Sequence, residues 1–145
     1  QIGGLLTNIE VNPATSSLEI SDETTRRIYS IAPSDLNEDF DGSNSQSYAI
    51  TFAARDLLVR EGVTWVAQGD ALLNISNDGI EVLNFTSGSV LSSVASEITS
   101  ESLMLLFGSN RIKVYQVNED LSLELKSDIP SSPVRKMLTL IAPAQ

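Results

Sequence analysis

The sequence predicts an all-β fold, and three observations carry that prediction. Apolar residues recur in strand-sized runs along the chain, several of the runs alternate with period two, and turn-forming residues punctuate them. In order, the runs are GLLTNIEV (4–11), SLEI (17–20), RRIYSI (26–31), YAITFAA (48–54), DLLVREGVTWVA (56–67), ALLNI (71–75), IEVLNF (80–85), SVLSSV (89–94), LMLLF (103–107), RIKVYQV (111–117), LSLELK (121–126) and VRKMLTLI (134–141). In the tenth, Ile112 and Val114 alternate with Arg111 and Lys113. The extra residue before Val117 predicts a bulge or the end of the strand. Two tracts carry a competing helical pattern: 92–103, SSVASEITSESL, and 53–61, AARDLLVRE, where Ala53, Leu57, Leu58 and Glu61 share a helical face.

Turn chemistry places two hairpins. Asn77-Asp78-Gly79 separates ALLNI from IEVLNF, and Gly108-Ser109-Asn110 separates LMLLF from RIKVYQV, each offering residues that tolerate positive φ. The hairpins echo one another, with Leu72, Leu73, Ile75, Ile80 and Val82 corresponding to Leu103, Leu105, Phe107, Ile112 and Val114. Residues 33–48, PSDLNEDFDGSNSQSY, interrupt the apolar runs with acidic and amide side chains. The 32 residues before this segment are too few for a core of their own, so 1–145 reads as a single β-rich domain with an acidic loop at 33–48.

Composition narrows the chemistry. The 145 residues contain no cysteine and no histidine, which removes disulfides, thiolate metal sites, imidazole ligands and the usual base of Ser-His-Asp and Cys-His mechanisms. The expectation is a protein that is not an enzyme. A net charge of −10, from 19 acidic against 9 basic residues, disfavours nucleic acid and anionic lipid and favours a cation or a basic partner. No apolar stretch approaches the roughly 18 residues that span a bilayer, so no membrane insertion is expected. The first residue is Gln1, consistent with removal of an upstream piece or with a trimmed chain.

Residues 7–35, TNIEVNPATSSLEISDETTRRIYSIAPSD, carry Ile9, Val11, Pro13, Leu18, Ile20, Ile28, Ile31 and Pro33 in an order that resembles the start of the bacterial Ig-like domain of group 2. Val63-Thr64-Trp65, Ile75, Asp78-Gly79 and Ser87-Gly88 continue that resemblance, which spans 7–35 and 63–96. It implies an Ig-like β-sandwich with additional strands, because 36–62 are inserted and 97–145 lie beyond the family's usual end. Trp65 would be a core residue on a central strand, with Val63 and Ala67 on its face. A second resemblance covers 72–140, where an apolar strand, a short turn, an I-x-V strand and a charged return look like the blades of large scaffold β-propellers. That alternative implies a protein-interaction scaffold segment whose other blades lie outside the chain, since a closed propeller needs at least four blades. Other β-barrels and sandwiches stay open.

The acidic loop holds the metal candidate. Asn37, Asp39 and Asp41, followed by Gly42, fit the start of a calcium loop, in which alternate side chains converge oxygens on a hard cation. Position twelve from Asn37 is Tyr48 where a glutamate would close the site, and a count from Asp35 puts Phe40 where glycine is needed. The bland reading is a solvated acidic loop. Calcium is therefore the one cofactor candidate beside an expectation of none. Two glycosylation sequons begin at Asn74 and Asn84, both within expected strands. The adjacent pairs Asp22/Glu23 and Glu119/Asp120 would face opposite sides of a strand, unsuited to paired acid/base work. Trp65, Tyr29, Tyr48 and Tyr115 are the aromatics for a carbohydrate platform, against core roles.

The functional expectation is a non-enzymatic structural or adhesive module in a larger surface or virion-type assembly. Its partners would be other protein subunits or copies of itself, met through loops and through the edge strands GLLTNIEV and VRKMLTLIAPA.

Overall fold

The computed structural model describes residues 5–13, 15–35, 46–51, 54–76, 79–84, 90–96, 102–133 and 137. Among the described residues, twelve strands run in chain order: β1 (Leu6–Val11), β2 (Leu18–Asp22), β3 (Arg27–Ile31), β4 (Gln46–Ala49), β5 (Ala54–Arg60), β6 (Val63–Gln68), β7 (Ala71–Ser76), β8 (Gly79–Asn84), β9 (Leu91–Ser96), β10 (Ser102–Phe107), β11 (Arg111–Val117) and β12 (Leu123–Pro130). A 3-10 turn, Pro33–Asp35, follows β3.

The strands form three four-stranded sheets, ordered β1-β2-β3-β4, β5-β6-β7-β8 and β9-β10-β11-β12, with every neighbouring pair antiparallel. Each sheet is a meander of sequence neighbours. An Ig-like sandwich needs Greek-key crossings that hand strands from one sheet to the other, and no such crossing exists among these strands. The Ig-like expectation is therefore corrected. The strand starts behind that resemblance are real, with Ile9 and Val11 on β1, Leu18 and Ile20 on β2, Ile28 and Ile31 on β3, and Trp65 on β6. Such a pattern is common to many antiparallel sheets and does not encode which sheet a strand joins. The segment read as an insertion, 36–62, includes the last strand of the first sheet and the first strand of the second.

The first strands of the sheets meet. β1 packs on β5, and β5 on β9, with β2·β5 and β6·β9 contacts behind them. A backbone hydrogen bond recurs at one end of all three units: Ile50 N–H to the Arg26 carbonyl (2.9 Å), Leu91 N–H to the Gly69 carbonyl (2.8 Å) and Ser131 N–H to the Asn110 carbonyl (2.7 Å). Each reaches the turn between the second and third strands of its sheet, from the residue after the fourth strand in the first and third units (Ile50, Ser131) and from the first residue of β9 in the middle one (Leu91), so the contact recurs once per four strands. Against this period, the hairpin echo noted in the sequence is out of step, since it pairs β7-β8 with β10-β11.

Both tracts with helical periodicity contain strands, β5 in one and β9 with the start of β10 in the other. These first strands are covered on both faces, so their apolar residues run on without alternation and mimic a buried helix. The middle sheet shows the same coverage. On β6, Trp65 and Ala67 join Leu58, Leu72, Leu91, Leu103, Phe107 and Tyr115 in the core between the second and third sheets. Val66 turns the other way, into a core with Ile28, Leu57, Leu73 and Ile75 between the second and first sheets. The extra residue expected near the end of RIKVYQV is not on that strand: Arg111–Val117 pair without a break, and the register shift between Val114 and Tyr115 is taken up by Lys126 on β12. Gly108 begins the β10–β11 turn with φ of 62°.

Candidate functional site

Antiparallel order sends the first and third strands of every sheet toward one end of the molecule. The turn after β5 lies there, formed by Glu61 (φ 51°) and Gly62 (φ 77°) between the paired residues Arg60 and Val63. Two consecutive positive φ values give the type I′ geometry that closes a two-residue hairpin without splaying its strands. The turn after β11 lies at the same end. Asn118 N–H bonds the Ser122 carbonyl at 2.9 Å, and Asp120 Oδ1 accepts from the Ser122 hydroxyl (2.6 Å) and N–H (3.0 Å). Those donors hold the Asp120 carboxyl below its usual range.

Two clefts open between adjacent sheets at this end. The first, about 270 Å³, lies between the second and third sheets and is walled by Val63, Trp65, Leu103, Val117 and Leu121, with Arg60, Glu61 and Glu119 also lining it. The second, about 230 Å³, lies between the first and second sheets and is mostly polar: Asn12, Thr15, Ser17, Glu19, Ser30, Gln46 and Tyr48 face Thr64, Ile75 and Ser76. Glu19 is only 5% exposed, and its Oε1 accepts from the Ser30 hydroxyl at 2.9 Å. Burial raises its carboxyl above the ordinary glutamate value, and the Ser30 hydrogen bond opposes that rise only in part.

A second buried carboxylate is structural. Asp56 on β5 accepts from Leu57 N–H (2.9 Å), the Ser93 hydroxyl (2.7 Å) and Val94 N–H (3.0 Å), which fastens the second sheet to the third. Ser93 Oγ in turn accepts from Met137 N–H at 2.9 Å. Asn8 Nδ2 donates to the Ala54 carbonyl at 3.2 Å, linking β1 to β5. Neither Glu19 nor Asp56 was singled out in the sequence. The available signal was a carboxylate inside an apolar run, SLEI for one and AARDLLV for the other.

Asn37, Asp39 and Asp41 lie outside the described residues, and Tyr48, in the position where a calcium loop would close, sits on β4 beside the polar cleft. Among the described residues no group of three or more Asp, Glu, His or Cys is arranged to hold a metal. The sequon residue Asn74 is 2% exposed on β7, with its amide toward Glu81 Oε2 at 3.4 Å, so it is no glycan acceptor in this fold. Trp65, Tyr29 and Tyr115 are buried at 3%, 8% and 8% exposure, which rules out a shared carbohydrate platform. Asp22, the last residue of β2, is buried, while Glu23 opens the following turn and is exposed, so the two do not form an acid/base pair. Among the described residues no helix is long and apolar enough to cross a membrane.

Tandem four-stranded meanders, radially packed through their first strands, define the blades of a β-propeller. The structure is similar to the Neurospora crassa Pan2 WD40 domain, with a TM-score of 0.68 and 12% identity over 93% of this chain and 41% of that one. It is also similar to a chain in the crystal structure of the mitotic checkpoint complex, with a TM-score of 0.71 and 11% identity over 94% of this chain and 43% of that one. The chain thus spans about two fifths of the length of each. No family model matches the sequence, and no curated protein matches it. These likenesses establish the propeller-blade alternative in place of the Ig-like sandwich.

Proposed function

We propose that this chain is a segment of a propeller-type scaffold that binds other protein subunits by contact and performs no chemistry of its own. One observation carries the reading. The first strand of the middle blade is buried along most of its length, whereas the first strand of the first blade leaves Leu6, Ile9 and Val11 at 50%, 62% and 57% exposure, with Leu5 beside them at 57%. Clustered apolar exposure of this kind marks a contact surface in soluble proteins. The absence of histidine and cysteine from the sequence fits a role without nucleophilic or imidazole chemistry.

The test is a photo-crosslinking amino acid placed at Ile9 in the protein in its own cells. The reading predicts a discrete adduct with a second polypeptide, and a probe at the outer-strand residue Lys126 reports labelling outside that surface. Adducts confined to the chain itself, or equal labelling from both positions, would overturn it.

A further inference from the structure

We propose that the polar cleft between the first and second blades is a socket for one basic side chain of a partner polypeptide, with Glu19 as its counter-ion. The inference rests on the scaffold reading and specifies the chemistry of the contact.

Cross-strand register sets the floor of the cleft. Glu10 lies opposite Glu19, Glu19 opposite Ser30, and Ser30 opposite Gln46, so these four residues form one row across the first blade. Directly opposed residues share a face of the sheet, so Ser30 and Gln46 reach the cleft beside Glu19, while Glu10 lies beyond its lining. At 5% exposure, Glu19 has lost most of its water, and the hydrogen bond from neutral Ser30 Oγ supplies no countercharge. Thr64, Ile75 and Ser76 of the second blade close the opposite wall.

Size and donor type choose the ligand. A volume of about 230 Å³ is below the roughly 300–1,000 Å³ of ordinary small-molecule pockets and suits a single side chain. Calcium needs 6–8 oxygens at about 2.3–2.6 Å, commonly including several carboxylates, whereas among the described residues Glu19 is the one carboxylate lining this cleft. A guanidinium or ammonium group needs one carboxylate plus hydroxyl, amide and carbonyl acceptors, which Ser17, Thr15, Asn12 and Gln46 are placed to offer. A net charge of −10 attracts basic segments over the same distances.

The test uses purified chain and glycine–serine peptides carrying one central arginine, lysine or citrulline, followed by amide NMR shifts. Arginine or lysine peptide is expected to shift Ser30, Thr64 and Ser76, with whichever cation binds more tightly defining the partner's residue. Citrulline, with the same shape and no charge, is expected to bind at least about tenfold more weakly, the scale of one charge-assisted hydrogen bond. Glu19→Gln should produce the same loss while retaining a dispersed spectrum. Gln46→Trp, at the exposed lip, should block the cleft with Glu19 intact. Absence of shifts at these amides, equal binding of citrulline, unchanged binding to Glu19→Gln, or the same shifts from calcium chloride alone would overturn the proposal. If the Ile9 adduct with a second polypeptide persists while the peptides fail, the socket is lost and the scaffold reading stands.

Discussion

Asp56 Oδ2 accepts the Ser93 hydroxyl at 2.7 Å, joining the first strand of the middle blade to the first strand of the third. The same carboxylate takes two backbone N–H groups, from Leu57 and Val94, so it replaces ladder partners that neither strand can supply at this point. Asp56→Ala removes the acceptor of the buried Val94 and Leu57 N–H groups and is expected to cost about 3 kcal/mol in urea unfolding. Ser93→Ala removes one donor and should cost about 1 kcal/mol, with Asp56 keeping both N–H bonds.

Trp65, the chain's single tryptophan, is 3% exposed between the second and third blades. Its fluorescence is expected to be blue-shifted and resistant to acrylamide, and both features should collapse in the same transition that abolishes sheet circular dichroism. Trp65→Ala should destabilise by about 3–5 kcal/mol, as truncation of a large core aromatic does.

Ile9 and Ile28 belong to one blade but differ in consequence. Ile28 is fully buried against the middle blade, while Ile9 is 62% exposed. Ile9→Lys is expected to change stability by less than about 0.5 kcal/mol, whereas Ile28→Lys buries an unpaired ammonium and should prevent folding. Soluble yield and urea midpoints check both.

Strand existence was legible in the sequence because the apolar runs are strand-sized and separated by turn residues such as Gly108-Ser109-Asn110. Grouping was not, since a meander and a Greek key use the same strands and turns and differ only in long-range pairing. First strands were the hardest to read: AARDLLVRE and SSVAS are covered on both sides and lose the period that identifies a strand. The polar cleft was hidden for a related reason. In SLEISD, Glu19 and Ser21 alternate with Leu18 and Ile20 and read as a solvent face, but the second blade packs over that face, leaving Glu19 at 5% and Ser21 at 1% exposure.

The raised Glu19 carboxyl gives a pH signature with a definite sign. Its folded pKa lies above the unfolded value, so the folded state binds the proton more tightly and the stability linked to this group falls as pH rises through the folded pKa. Glu19→Gln removes the ionisation while keeping the shape. Its melting temperature at pH 7 is expected to equal or exceed that of the parent, and the difference should shrink as the pH falls below the ordinary glutamate range. A mutant that melts lower at pH 7 would show that the carboxylate is stabilised by a partner within the fold.

Amide hydrogen exchange on the isolated chain most directly tests the arrangement of a middle blade held between two others. Slowest exchange is expected in β6 and β7, with Val94 of β9 opening together with Leu57 of β5 through Asp56, and faster exchange in β1 and β12. Protection of β1 and β12 equal to or above that of β6 and β7 would contradict it.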